Sequence, residues 1–396
     1  MFVLLPLNEK SLQLRFKFLD HVALHVFFMT SFNLIMPELN GFITILGGED
    51  IKGLVITLFT ISAGISRPFS GKISDLVGRK TTIYLGIIVC ILVSISYPLA
   101  HSVFFFLGLR FLHGLSAGFT PTGATALITD ILPENSRGRA MGIWGTFISL
   151  GIGVGQALGS WIFMQFNYTI LFACSAIFGL VSLLLSIYVR ETLQIKNKFT
   201  PKMLLIKWND VFEPSVLPAS LVMFLSAASS GIIFVITPDI SNFLGIQNKG
   251  WFFGIYVIST ILVRLLTGSL SDKIGRRKTL LIGNFFLMAS MISIGLADSI
   301  TFYTIAAVIF GFATGISSPT LFAWTADLSA FDRRGVGAGT MFIALECGIM
   351  LGSLSTLALY NSTLSSVFLS FAFGAFLSFV ASIYLIWHIR NRKSLF

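Results

Sequence analysis

The apolar residues of this chain gather into twelve runs, at 16–38, 51–71, 81–99, 104–131, 140–164, 168–190, 216–239, 249–270, 279–297, 301–328, 335–360 and 364–388. Each offers roughly 20 mostly hydrophobic residues, the length a helix needs to cross a hydrocarbon core about 30 Å thick. The runs are continuously apolar and do not alternate over about ten residues, so they predict spanning helices and not the strands of a barrel. Most connections are short. The longest, Glu191 to Ser215, leaves six spans on either side, which predicts a bundle over 1–190, a linker over 191–215 and a second bundle over 216–396. Within the linker, residues 202–212 read equally as an amphipathic helix lying at the interface or as a plain tether.

Composition narrows the class. Of 396 residues, 55% are hydrophobic and only 11% charged, against about 25% charged in a soluble domain. So few charges exclude a soluble enzyme or a nucleic-acid-binding protein despite a net charge of +10, and they exclude a disordered chain, which needs low hydrophobicity and high charge. The chain reads as an all-α membrane protein. Cys90, Cys174 and Cys347 sit inside apolar runs and read as packing residues, not as a disulfide framework. Met1 to Lys10 is too short and irregular for a signal peptide, so the first run is expected to be a retained helix.

The excess of cations marks orientation. With the N-terminus inside, 24 of the 27 Lys and Arg fall on inner segments, Arg67 and Arg264 among them, against Lys52 and Lys249 outside and Arg110 within a span. This bias predicts both termini in the cytoplasm.

An internal repeat carries more information than any single motif. Gly71-Lys-Ile-Ser-Asp75-Leu-Val-Gly78-Arg79-Lys80 returns 197 residues later as Gly268-Ser-Leu-Ser-Asp272-Lys-Ile-Gly275-Arg276-Arg277. The same offset carries Arg67 onto Arg264, Gly114 onto Gly311, Asp130 onto Asp327, Gly142 onto Gly339 and Gly155 onto Gly352. With a four-residue gap in the preceding loop, Pro37-Glu38 falls on Pro238-Asp239. Apolar helices that resemble each other by chance share Leu, Ile and Phe, not charged and glycine positions in register. Two homologous six-helix halves related by an axis along the membrane normal describe one large transporter architecture.

These residues resemble a known family. Gly71 to Lys80 is similar to the loop signature of the major facilitator superfamily between its second and third helices, and its second copy stands where that family repeats it. Arg110-Phe-Leu-His-Gly114-Leu-Ser-Ala-Gly118 is similar to the fourth-helix motif of proton-coupled members. Gly151-Ile-Gly-Val-Gly155-Gln156-Ala-Leu-Gly159 resembles the fifth-helix motif of the drug:proton antiporter branch, with Gln156 where that branch usually has proline. The resemblance implies twelve transmembrane helices in two pseudo-symmetric six-helix bundles, the major facilitator fold. It also implies alternating access, and proton-driven export of small, amphipathic organic molecules from a bacterial inner membrane. Facilitated or proton-coupled movement of a sugar or organic acid is the alternative.

The signature sets an acid, a turn glycine and cations where helices meet the inner surface. Asp75 is expected to face the start of the eleventh span near Gly335, and Asp272 the start of the fifth near Ala140, since a carboxylate is attracted to an unpaired helix N-terminus. Arg79 is expected to pair with Asp130 and Arg276 with Asp327, contacts expected to cross between the halves and latch the outward-open state. The other reading is that these cations only enforce topology.

Ionisable groups within spans are costly and usually functional. Glu346 lies about 16 Å along its span at 1.5 Å per residue, close to the midplane, and is expected to bind and release a proton during transport. Arg110, some 9 Å from the outer surface by the same arithmetic, is expected either to hold a substrate anion and influence an acid or to pair with backbone carbonyls. Asp20, His21 and His25 cluster in the inner third of the first span, with the two histidines on one helix face. Asp20 is a candidate in proton coupling and His25 in the substrate cavity; the two histidines could shuttle protons or ligate a metal, for which three such groups without a fourth nearby ligand make a weak signal. Asn33, Gln156 and Asn284 complete the expected cavity. Glu38 and Asp239 suggest a symmetric feature of the outer mouth. Gly151, Gly155 and Gly159 share one helix face and, as small residues that permit close approach, are expected to let the fifth helix rock against a neighbour.

No ATP-binding P-loop is present, so the expected driving force is a gradient and no cofactor is expected. The partners expected are a small-molecule substrate, protons and the bilayer, without nucleic acid, for a chain acting as a monomer. An intramembrane enzyme needs a nucleophile and base or paired metal ligands; no His-Glu-x-x-His occurs, and the one Gly-x-Ser-x-Gly, Gly114 to Gly118, lies inside the fourth apolar run and not at the strand-to-helix turn of a nucleophile elbow. No catalytic residue is assigned.

Overall fold

The computed structural model describes residues 9–131, 137–207, 211–267, 270–329 and 333–391. Gly268 lies outside the described residues, as do the side chains of Lys10, Arg15, Lys17, Arg137, Arg139, Ala140, Gly142, Arg334, Arg392 and Lys393. Twelve long helices follow in order: α1 (Glu9–Leu34), α2 (Lys52–Leu76), α3 (Arg79–Ser96), α4 (Val103–Ile131), α5 (Arg137–Gln165), α6 (Tyr168–Tyr188), α7 (Leu217–Phe243), α8 (Trp251–Thr267), α9 (Arg276–Gly295), α10 (Ile300–Leu328), α11 (Arg334–Leu359) and α12 (Leu364–Asn391). Among the described residues eleven helical segments are long and apolar enough to cross a bilayer, and α8, at 17 residues, is the shorter one.

The first run breaks where its chemistry demands. Pro37 has no N–H to donate and disfavours helical geometry in the residue before it, and α1 gives way to a 3-10 turn over Met36–Glu38 before a short helix, Leu39–Ile45. The turns of the loop signature likewise rest on backbone geometry. Gly78 and Gly275 sit at φ 155° and 89° just before α3 and α9, values that a side chain would strain. The Glu191 carboxylate then accepts the N–H groups of Arg79 and Lys80 at 3.1 Å each, satisfying two of the donors a helix start leaves open. Among its described residues the linker has a 3-10 turn over Pro201–Leu204 and enters a second, Pro214–Val216, at its end, and Lys72 Nζ ties it to the end of α2 by donating to Leu205 O at 2.5 Å. At its far end the side chain of Arg333 donates to Glu213, a bond that holds the Glu213 carboxyl below the usual range.

Each half packs by the same plan. In the first, α1 lies against α5 and α6, and α4 against α2 and α3; in the second, α7 lies against α11 and α12, and α10 against α8 and α9. The halves meet along two seams, α2 on α11 and α5 on α8, which the 197-residue repeat interchanges. Gly151 and Gly155 press against α1: a Cβ on either would lie 2.8 Å from Val26 O or Thr30 O, and one on Gly159 would collide with Leu34 O. Gly153, two residues on and so on the far side of the helix, faces Val257 of α8.

Candidate functional site

Ion pairs tie the two halves together at the ends of the helices opposite the loop signature. Glu38, just after α1, takes Lys249 Nζ at 2.7 Å, and Asp239 of α7 takes Lys52 Nζ of α2 at 2.9 Å. The acids are repeat mates and so are the lysines, so one contact is the twofold image of the other. Both are buried, with side-chain exposure of 1% for Glu38, 14% for Lys249, 12% for Asp239 and 9% for Lys52. Hydroxyls complete the carboxylates: Ser160 Oγ donates to Glu38 at 2.5 Å and Tyr360 OH to Asp239 at 2.8 Å. Asn40 Nδ2 adds a cross-half bond to Val235 O. A cavity of about 320 Å³ opens around Asn40, Lys52, Asp239 and Lys249.

Deeper in, each seam holds an arginine. Arg67 of α2 reaches across to α11, where Nη2 lies 3.1 Å from Glu346 Oε1 and the guanidinium sits 4.5 Å over the Phe342 ring. Glu346 is 8% exposed. Arg264 of α8 reaches across to α5, where Nη1 donates to Gly145 O and Ser149 Oγ, each at 2.9 Å. Counting cations by segment placed both arginines at the inner surface; the structure sets them within the spans, the Arg67 side chain 9% exposed and Arg264 half-buried. Their partners on the facing helix, 342 and 346 in one case and 145 and 149 in the other, are again 197 residues apart.

Toward the signature face the halves part. Among the described residues nothing lies within 4 Å of where a side chain would begin at Gly71, Gly335 or Gly339. Arg79 holds Asp75 at 2.8 Å and Asp130 at 3.2 Å, and Arg276 holds Asp272 and, at 2.9 Å, Asp327. These triads stay within their own halves, correcting the expectation that the arginine pairs cross between them. The reason is topological: Asp130 and Asp327 end helices that pack beside α3 and α9. Asp75 is not seated against Gly335 in this conformation.

Several expected cavity residues prove to be internal fastenings. Arg110 is wholly buried within the first half. Its Nε donates to Val55 O at 3.1 Å, Nη1 donates to Tyr97 OH at 3.2 Å, and the group lies 4.6 Å over the Phe59 ring. Asn33 donates to Met29 O at 2.8 Å and accepts from Gln156 Nε2 at 3.3 Å, riveting α1 to α5. Asn284 Oδ1 accepts from Ser226 Oγ at 2.9 Å, joining α9 to α7. His25 packs 5.0 Å from the Trp144 ring and 6.0 Å from Phe28, and Asp20 is exposed. The glycine row 151, 155 and 159 seals α5 to α1 within one half and is no interface between moving halves. Among the described residues no group of three or more His, Cys, Asp or Glu could hold a metal ion.

A second cavity, of about 160 Å³, lies between α5, α7, α8 and α10, where Ser149, Phe234, Tyr256, Arg264 and Phe310 help to line it. None of Asn33, His25, Arg110, Gln156, Asn284 or Glu346 lines it.

Two repeat-related bundles of membrane-spanning helices, joined along two seams with buried ion pairs across them, define a carrier of the two-halved kind. The chain belongs to the Major Facilitator Superfamily, whose model matches residues 22–247 and 219–395, and it is a multi-pass membrane transporter. It is 27% identical over 307 residues to a multi-drug resistance efflux pump PmrA homolog of Lactococcus lactis subsp. lactis (strain IL1403), covering 74% of this chain and 75% of that one. It is 26% identical over 202 residues to the quinolone resistance protein NorA of Staphylococcus aureus (strain MRSA252), and there the match covers 49% of this chain and 52% of the relative, about half of each. Among solved structures, the fold is shared with the human organic anion transporter MFSD10 (TETRAN), at a TM-score of 0.74 and 17% identity over 94% of this chain and 99% of that one. It is also shared with the peptide transporter POT in complex with sulfate, at a TM-score of 0.79 and 12% identity over 95% and 94%.

Proposed function

We propose that this transporter exports small amphipathic organic molecules in exchange for protons, working by alternating access, with the signature face and both termini in the cytoplasm. The efflux-pump relatives support the direction and the substrate class, and the excess of cations supports the orientation. The observation that carries proton coupling is the Arg67–Glu346 pair, a carboxylate and a guanidinium joining the two halves across α2 and α11 at 3.1 Å. A carboxylate that takes up a proton loses most of its attraction for the arginine, so protonation of Glu346 removes one tie between the halves. The two outer ion pairs hold the opposite mouth shut in the state described here. When that mouth opens and the signature face closes, Asp75 and Asp272 move toward the helix starts of the opposite half and serve as the latch, with Arg79, Asp130, Arg276 and Asp327 fixing the acids in place.

The test is flux in proteoliposomes under an imposed pH gradient, read with a fluorescent lipophilic dye. A gradient is expected to drive dye movement, and Glu346→Gln to lower that movement at least tenfold while the protein still folds and inserts. Flux indifferent to the gradient, together with wild-type behaviour of Glu346→Gln, would refute proton exchange.

A further inference from the structure

The two seam arginines are repeat mates at equivalent positions, yet among the described residues only Arg67 has a counter-charge. Arg67 meets Glu346; the position related to Glu346 on α5 is Ser149, so Arg264 finds a hydroxyl and the carbonyl of Gly145 instead. Among the described residues no carboxylate lies within ion-pair distance of Arg264, and its Nε is buried without a hydrogen-bond partner. A guanidinium keeps its charge under all ordinary conditions, and an uncompensated charge within a membrane span is costly and marks a functional position.

What faces Arg264 is the cavity between α5, α7, α8 and α10. Its wall includes the hydroxyls of Ser230, Tyr256 and Ser318, and among the described residues none of the three makes a hydrogen bond within the protein. Phe234, Phe310 and the Tyr256 ring, with Tyr256 and Phe310 5.2 Å apart, supply apolar surface beside the charge. A permanent cation, free hydroxyl donors and aromatic walls in one recess fit one kind of molecule: a carboxylate on an apolar, aromatic body.

We infer that this cavity is a binding site for the anionic group of a transported aromatic carboxylate, with Arg264 as its counter-charge. The missing carboxylate of the second seam is thus supplied by the substrate, in the place where the first seam carries Glu346. The inference deepens the export reading and rests on it for its physiological meaning, but binding can be measured without flux.

The probes are 1-naphthoate and its neutral isostere 1-naphthamide, titrated onto the purified full chain in nanodiscs by intrinsic tryptophan fluorescence. The wild type is expected to prefer the carboxylate at least tenfold. Arg264→Gln is expected to abolish the preference. Ser149→Glu places the protein's own carboxylate against Arg264, as Glu346 is placed against Arg67, and is expected to abolish it too; this variant keeps the test decisive should Arg264→Gln fold poorly. Equal binding of the two probes, no binding of naphthoate at millimolar concentration, or a preference that survives both substitutions would overturn the site. Selective binding without gradient-driven flux would leave the site standing and refute the export reading; dye flux without carboxylate preference would do the reverse.

Discussion

The twofold pair of outer ion contacts makes a quantitative prediction about the balance of states. Lys52→Ala and Lys249→Ala each remove a cation from a buried carboxylate. In the closed mouth Glu38, 1% exposed, would keep only the Ser160 hydroxyl, and Asp239 only Tyr360. Once the mouth opens, both acids meet water, so the cost falls on the closed state alone. Removing one partner of a fully buried pair costs about 3–5 kcal/mol. The lysines here keep some exposure, so about 2–3 kcal/mol per pair is appropriate, and each substitution should shift the equilibrium toward the open outer mouth by about 30- to 150-fold. The double variant should shift it by roughly the product, since the pairs share no residue. Spin labels at His101→Cys and Asp298→Cys, exposed repeat mates on that face, report the opening once Cys90, Cys174 and Cys347 are replaced. Pulsed electron paramagnetic resonance should show a longer-distance population in the lysine variants, and the exchange Glu38→Lys with Lys249→Glu should restore much of the short one. A distance distribution unchanged in the double lysine variant would refute the gate.

Two further predictions concern stability, both read by thermal unfolding in detergent. Arg110→Ala should destabilise the first half by about 1–3 kcal/mol, because it leaves the buried Val55 carbonyl without its donor, and Arg110→Lys should recover little, because an ammonium lacks the planar fork that reaches Val55 O and Tyr97 OH together. Gly159→Ala should cost about 1–3 kcal/mol, as its Cβ meets the backbone oxygen of Leu34, whereas Gly108→Ala, with open space around the new methyl, should be neutral or gain up to about 1 kcal/mol in helix propensity.

The pair of ion contacts between the halves was partly legible in the sequence. Glu38 and Asp239 stood out as repeated acids, and Lys52 and Lys249 as the two outer lysines; that the lysines share the 197-residue offset was the signal that would have joined them. The same offset relates Glu346 to Ser149, so the lone arginine of the second seam could have been suspected from the two halves aligned side by side. Arg67 and Arg264 were misplaced for a physical reason. A cation near the inner end of an apolar run looks like a snorkelling surface residue, and only the facing helix decides whether it reaches the headgroups or a carboxylate across a seam.

What the sequence determined by itself follows from local and repeating constraints. Apolar run length fixed the spans to within a few residues, since backbone groups in a bilayer must be satisfied within the helix, and the register of charged and glycine positions fixed the two halves. The directions of side chains at a given depth were decided by tertiary structure. Arg110, Asn33, Gln156 and Asn284 are polar groups in apolar spans, as a cavity wall would be, but they fasten helices within a half. Gly151 and Gly155 serve the α1 seam while Gly153 serves α8. One helix turns 100° per residue, so neighbouring positions serve different partners, and no one-dimensional pattern says which partner stands on which side.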